Sequence, residues 1–173
     1  MADKKGWIIF VIGGARSGKS GFALSRASAH AGTKAYIATA QAFDDEMRER
    51  IEKHRSERGG EWKTFEEPLH LAALVKDAGG AYDVLLIDCL TLWVSNLLLA
   101  GKEETAEIES LQSSLRGCSS TLYIVSNEVG MGIVPDNPLA RKFRDVAGHL
   151  NQKLACIADE VYLVAAGVPL KLK

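Results

Sequence analysis

The chain has 173 residues, of which 47% are hydrophobic and 25% charged, so a single globular domain spanning 1–173 is expected. Its formal net charge of −1 offers no basic field for nucleic acid or an anionic membrane surface. Polar residues interrupt the longest apolar run, around 85–99, which excludes a membrane span there. Three scattered cysteines and no secretory-signal pattern indicate free thiols in the reducing cytoplasm.

Apolar runs of strand length alternate with longer helical patterns along the whole chain. In chain order they predict strand 7–12, helix 20–31, strand 34–39, helix 44–58, helix 68–78, strand 82–87, helix 90–100, an amphipathic helix around 108–115, strand 121–126, helix 139–155, strand 160–164 and a returning hairpin strand at 170–172. This alternation predicts an α/β fold, with a mostly parallel sheet covered by helices on both faces.

The most specific motif directly follows the first predicted strand and directly precedes a helix. It matches the phosphate-loop pattern G-x-x-x-x-G-K-[ST] and consists of Gly13, Gly14, Ala15, Arg16, Ser17, Gly18, Lys19 and Ser20. Glycines let the backbone N–H groups turn towards phosphate oxygens, and the helix dipole adds positive potential. Lys19 is expected to reach the β- and γ-phosphates of ATP or GTP, and the Ser20 hydroxyl to ligate Mg²⁺.

A second Mg²⁺ ligand is expected at the end of an apolar strand. Asp88 follows the run Val84–Ile87, which makes its carboxylate the candidate. Asp88 could instead be the N-cap of the next helix, and the two roles are compatible.

The motifs disfavour a regulatory GTPase. The chain has no N-K-x-D tetrapeptide to read guanine, and Ser126-Asn127-Glu128 is the nearest strand-end sequence. A D-x-x-G match at 77–80 precedes the Asp88 strand, whereas a switch motif would follow it. The class of phosphate-loop protein that is still favoured is a transferase that acts on a small molecule.

The predicted helix 44–58 carries a candidate nucleophile. Met47, Ile51 and His54 share one face of it, and Arg50, Arg55 and Arg58 lie near. A histidine on an apolar face is usually a core residue with its hydrogen bonds satisfied. Alternatively, a neutral imidazole can attack a nucleotide α-phosphate, with arginines stabilising the transferred group. The residues alone leave both interpretations open.

Motifs over nearly the whole chain, from about Ile8 onward, resemble one enzyme family. They are the phosphate loop, the segments 36–40, 44–47, 50–55 and 62–68, the run 88–98, the block 126–135, and Arg141, 143–145, Gly148 and 151–152. Together they resemble the bifunctional adenosylcobinamide kinase/adenosylcobinamide-phosphate guanylyltransferase family of cobalamin biosynthesis. Where a proline would be expected after Arg58, this chain has Gly59-Gly60, which leaves the conformation of that loop open.

The resemblance implies a phosphate-loop NTPase three-layer sandwich, similar to RecA-like cores, with a C-terminal antiparallel strand and a homotrimeric assembly. It implies that ATP or GTP phosphorylates adenosylcobinamide, and that GMP then passes from GTP through a histidine to adenosylcobinamide phosphate. His54 corresponds to that histidine, and Asp88 to the family's strand-end acid. The corrinoid is the small-molecule partner.

Five further residues are candidates for contacting the base, ribose or phosphates: Thr39, Arg58, Trp62, Glu66 and Thr91. Each has an alternative role in packing, capping or the surface. Two other functions stay open: a phosphate-loop kinase with a single activity and a structural His54, and a nucleotide-binding module without transfer chemistry.

Overall fold

The computed structural model describes residues 6–41 and 59–173, and these contain seven strands in one sheet. The strands are β1 (Ile8–Gly13), β2 (Lys34–Ala38), β3 (Trp62–Glu66), β4 (Val84–Asp88), β5 (Thr121–Asn127), β6 (Glu160–Ala165) and β7 (Val168–Lys171). Five helices lie in the same residues: α1 (Lys19–Ser28), α2 (Leu71–Ala78), α3 (Leu90–Leu99), α4 (Glu104–Gly117) and α5 (Pro138–Ile157). The predicted helix 44–58 lies outside the described residues.

The strand order is β3-β2-β4-β5-β1-β6-β7, and every neighbouring pair is parallel except β6–β7. The predicted parallel sheet with a C-terminal antiparallel strand is therefore confirmed. The antiparallel strand begins at Val168, two residues before the predicted start, because the turn at Ala166 and Gly167 is tight.

Side chains alternate between two cores, one on each face of the sheet. Ile8 and Phe10 of β1 belong to the core that also contains buried residues of α2, α3, α4 and α5. Ile9 and Val11 of β1 belong to the other core, where Ala23 and Ala27 of α1 pack against the sheet. Helices thus cover both faces, as the three-layer prediction requires.

The strand β3 is absent from the prediction. Trp62 is buried in the core on the α1 side, whereas Phe65 packs against the core on the opposite side. With one aromatic residue on each face, the segment lacks the alternation that marks a half-buried strand. Its neighbouring helix α2 begins at Leu71 rather than Pro68, because Glu67 Oε1 accepts from the N–H groups of Leu69 and His70 in a preceding turn.

The apolar sequence of α3 is explained by burial within the chain's own core. Leu90, Trp93, Val94 and Leu97 are each fully buried there. The indole Nε1 of Trp93 donates to the carbonyl of Leu69 at 2.9 Å, so its one polar atom is satisfied. No helix within 6–41 and 59–173 combines the length and apolarity that crossing a membrane requires.

The N-cap of α5 provides a test of this local structure. Asn137 Oδ1 accepts from Leu139 N at 2.8 Å and from Ala140 N at 3.2 Å, and Pro138 follows the cap. We expect Asn137→Ala to cost about 1 kcal/mol, which lowers Tm by about 2–4 °C in a chain of this length. Asn137→Ser keeps an acceptor and should stay within about 1 °C of the parent in a calorimetric melt. An unchanged melt for Asn137→Ala would contradict the cap.

Candidate functional site

The carboxyl ends of the parallel strands gather several of the predicted site residues at one edge of the sheet. Asp88 pairs with Ala38, and Ala38 pairs with Glu66 on its other side. Gly13, where the phosphate loop begins, pairs with Asn127. In open α/β sheets this edge is where ligands bind.

Two glycines, Gly13 and Gly18, allow the phosphate loop to adopt its backbone conformation. A Cβ on Gly13 would lie 2.4 Å from the Val164 carbonyl oxygen and 2.6 Å from Ser17 Oγ, so the position admits no side chain. Gly18 has a φ of 91° and is the N-cap of α1, where no side chain accepts from the first N–H groups of the helix. The N-terminus of a helix with such a cap favours an anion.

Lys19 is the first residue of α1, and its side chain is buried. Its Nζ donates to the carbonyl oxygen of Gly14 at 3.1 Å, which holds the ammonium group inside the loop. The side chain is therefore held against the backbone of the loop, the position from which the lysine of this motif is expected to contact phosphate. Ser20, the next residue, is partly buried.

The turn between β6 and β7 supports the phosphate loop from the side. Gly167 N donates to the carbonyl of Ser17 at 2.8 Å, and Gly167 Cα lies 3.2 Å from where a Cβ on Gly18 would be. This contact is not predictable from the sequence, because nothing in a hairpin turn at 166–167 indicates what it packs against.

Asp88 ends β4 with a partly buried carboxylate. Its Oδ2 accepts a hydrogen bond from the Tyr36 hydroxyl at 3.0 Å. The alternative role of Asp88 as a helix N-cap is wrong, because Cys89 is the N-cap of α3 and no side chain caps that helix. The carboxylate is thus not engaged in capping.

Thr39 stiffens the backbone next to Asp88. Its fully buried hydroxyl donates to the Cys89 carbonyl at 2.6 Å and accepts from Cys89 N at 3.0 Å. Burial, together with the charge of Asp88, raises the pKa of the Cys89 thiol to about 11, so this thiol stays neutral at physiological pH. Both hydrogen-bonding functions of the Thr39 hydroxyl are used within the chain.

Thr91 and the end of β5 form a buried polar group beside the loop. Thr91 Oγ1 accepts from Asn127 N at 2.7 Å and lies 3.3 Å from Ser126 Oγ. Asn151 of α5 donates through Nδ2 to the carbonyl of Asn127 at 3.1 Å. Neither Asn127 nor Asn151 was predicted as a site residue. Asn127 could have been, because it ends the apolar strand β5 in the same way that Asp88 ends β4.

The remaining predicted residues are not all at this edge. Glu66 ends β3 there and is exposed, whereas Trp62 begins the same strand and pairs with Lys34 at the opposite end of β2. Trp62 is buried, with its ring edge-on to Tyr36 at a centroid distance of 6.4 Å. His54 and Arg58 lie outside the described residues.

Ser20 and Asp88 are the side chains that could hold a divalent cation. Within 6–41 and 59–173 no group of three or more His, Cys, Asp or Glu side chains could enclose one. One hydroxyl and one carboxylate form a sparse set of oxygen donors, which fits Mg²⁺ because that ion keeps several waters and takes phosphate oxygens as ligands.

Comparison with known proteins gives one family and a set of close relatives. The model of the family described as cobinamide kinase / cobinamide phosphate guanyltransferase matches residues 9–172. The bifunctional adenosylcobalamin biosynthesis protein CobU of Escherichia coli is 43% identical over 96% of this chain and 99% of its own. The similarly named CobP of Pseudomonas aeruginosa is 44% identical over 94% of this chain and 95% of its own.

Solved structures are similar in fold alone. The assembled ATPase EscN of the enteropathogenic E. coli type III secretion system has a TM-score of 0.57 at 13% identity, over 93% of this chain and 43% of EscN. A prototypical type III secretion ATPase has a TM-score of 0.54 at 11% identity, covering 96% of this chain and 58% of that one. These likenesses confirm the predicted phosphate-loop NTPase architecture.

The close approach at Gly13 predicts the effect of a single methyl group. Gly13→Ala should displace the loop and weaken binding of a fluorescent ATP analogue about tenfold or more, because overpacking costs about 1–3 kcal/mol. Gly21→Ala is the matched control, since no atom lies within 4 Å of its added Cβ in α1. Equal affinities of the two variants, measured by fluorescence titration, would contradict the steric interpretation.

Proposed function

Because the chain belongs to the cobinamide kinase / cobinamide phosphate guanyltransferase family, we propose that it catalyses two successive transfers onto a corrinoid. In the first, ATP or GTP phosphorylates adenosylcobinamide. In the second, GMP passes from GTP to adenosylcobinamide phosphate and yields adenosylcobinamide-GDP with release of pyrophosphate. The observation that carries this proposal is a complete phosphate loop at the same edge of the sheet as Asp88, in a chain that matches the family from residue 9 to 172.

The first transfer requires the protein to position the triphosphate and the acceptor and to stabilise the developing charge, and it requires no covalent intermediate with the protein. The N–H groups at the start of α1 and the ammonium group of Lys19 hold the triphosphate. Ser20 and Asp88 would hold Mg²⁺, which supplies positive charge to the phosphate oxygens. The Tyr36 hydroxyl and the Thr39 bridge to Cys89 keep the Asp88 carboxylate in place.

The second transfer needs a nucleophile directed at the α-phosphate of GTP. We propose that an imidazole nitrogen of His54 attacks this phosphorus, and that the bond to the bridging oxygen breaks to release pyrophosphate. A phosphate oxygen of the corrinoid then attacks the same phosphorus, and the P–N bond breaks and frees His54. Arg58 is the proposed partner for the transferred phosphate, with Glu66 as a proposed nucleoside contact and Thr39 and Thr91 as proposed positioning residues. Trp62 is left out of this set, because it is buried at the opposite end of β3.

One nucleotide site serves both transfers in this proposal. Within the described parts of the chain, the phosphate loop is the one segment with the G-x-x-x-x-G-K-[ST] pattern, and Asp88 and Glu66 end strands at the same edge. The two reactions would therefore use the same triphosphate-binding residues in turn.

We further propose that the enzyme works in the cytoplasm as a homotrimer, as the family resemblance implies. Its three cysteines are free, and two of them, Cys89 and Cys118, are buried, which suits a reducing compartment. A corrinoid is much larger than the edge of one sheet, so a surface shared between subunits would supply area that one domain lacks.

Substitution of His54 separates the two transfers. We expect His54→Ala to abolish covalent labelling of the chain by α-³²P-GTP, while ATP-dependent phosphorylation of cobinamide stays within about threefold of the parent. The parent label should be acid-labile and stable to alkali, as a phosphoramidate is. Mass spectrometry of the parent with GTP, Mg²⁺ and cobinamide reports both products.

His149 provides the matched control for that substitution, because it is a histidine of α5 and is not among the proposed site residues. His149→Ala should be labelled like the parent. Covalent labelling retained in His54→Ala would overturn the assignment of the nucleophile. If the parent phosphorylates cobinamide but is never labelled by GTP, the enzyme is a kinase with a single activity.

A further inference from the structure

Asn127 occupies a position between the two halves of the proposed phosphate site. It is the last residue of β5, which lies between β1, leading into the phosphate loop, and β4, ending at Asp88. Asp88 pairs with Val125, so Asn127 extends two residues, about 7 Å, beyond the level of Asp88. It pairs with Gly13, where the phosphate loop begins.

The backbone of Asn127 is held from three directions. Its N–H donates to Thr91 of α3, and its carbonyl accepts from Asn151 of α5. The next N–H, that of Glu128, donates to the Gly13 carbonyl at 3.0 Å. Thr91 and Asn151 are 5% and 7% exposed, so two buried polar side chains serve to fix this one residue.

The side chain of Asn127, in contrast, has no hydrogen-bond partner among the residues that the structure describes. Its Oδ1 is buried and accepts no hydrogen bond, and no hydrogen bond among the described residues uses its amide nitrogen. Leaving the buried Oδ1 without a hydrogen bond costs about 1–3 kcal/mol, which an apolar residue in the same place would avoid. A rigidly held backbone that presents an unpaired amide is a preorganised site for a ligand group.

We propose that Asn127 is a catalytic residue of the phosphoryl transfer, with its amide N–H donating to the γ-phosphoryl group held by the phosphate loop. The inference rests on the proposed function, since it concerns the same nucleotide site. In that step the acceptor oxygen forms a bond to the γ-phosphorus as the bond to the bridging oxygen breaks. The nucleoside diphosphate leaves with the electron pair, and the acceptor's proton passes to water.

A neutral amide suits this position chemically. Charge spreads over the non-bridging oxygens of the γ-phosphoryl group during transfer, and a fixed donor stabilises it without adding a titrating group. Lys19 lies within the loop on the β1 side, and Asp88 lies on the β4 side. Asn127 is thus the side chain of the intervening strand at that edge.

The test compares Asn127→Ala and Asn127→Ser in cobinamide phosphorylation. For Asn127→Ala we expect kcat to fall about 100-fold, the size of effect seen when one preorganised donor is removed, with the nucleotide KM within about threefold of the parent. Asn127→Ser retains a short O–H donor and should recover part of the loss. Gln112→Ala, which removes an amide bound to the Lys153 carbonyl between α4 and α5, should keep the parent kcat.

Two outcomes would overturn the proposal. One is a kcat of Asn127→Ala within threefold of the parent. The other is a loss that accompanies a lowered Tm and is not relieved in Asn127→Ser, because a structural role would produce that pattern.

Hydrolysis of the γ-phosphate by water, measured in single turnovers without corrinoid, separates this proposal from the proposed function. If the parent fails to phosphorylate cobinamide but Asn127→Ala slows hydrolysis, the proposed function fails and the role of Asn127 stands. If cobinamide is phosphorylated equally by both proteins, the role of Asn127 fails and the proposed function stands. A parent that neither hydrolyses nucleotide nor phosphorylates cobinamide contradicts both.

Discussion

The carboxyl ends of parallel strands meet at one edge of the sheet, and the polar backbone groups gathered there must find partners away from bulk water. In this chain buried side chains provide them: Thr39 pairs with Cys89, Thr91 and Asn151 with Asn127, and Asn96 with the carbonyls of Thr39 and Pro68. Removing one such partner would leave a buried backbone group without a hydrogen bond, which would cost about 1–3 kcal/mol of folding free energy. The site depends on this network, because it holds the strand ends that carry Asp88, Asn127 and the phosphate loop.

The sequence predicted the parts of the site that come from local patterns. The phosphate loop requires glycines, a lysine and a hydroxyl at fixed spacing, and the apolar run before Asp88 indicates a strand ending in a carboxylate. The structure brings both to one edge. Asn127 ends a strand in the same way, but its role depends on the strand order, which places β5 between β1 and β4. No local pattern in the sequence encodes that order.

The strand β3 could not be predicted from a local pattern either, because its aromatic residues lie on both faces of the sheet. Trp62 and Phe65 point into opposite cores, so β3 shows no simple alternation. The hydrogen bonds of Thr39 could not be predicted for a different reason. Thr39 is a predicted contact of the base, ribose or phosphates, and its hydroxyl bonds to the backbone of Cys89. These hydrogen-bond partners lie 50 residues away in the chain, so a local pattern in the sequence cannot reveal them.

The central claim is that one nucleotide site performs both transfers, and competition with an inert ATP analogue tests it most directly. An analogue with a methylene group between its β- and γ-phosphorus atoms binds the phosphate loop but cannot donate its γ-phosphoryl group. A shared site predicts that it inhibits cobinamide phosphorylation by ATP and covalent labelling by α-³²P-GTP with the same inhibition constant. Inhibition of phosphorylation with no effect on labelling would require two separate nucleotide sites and contradict the claim.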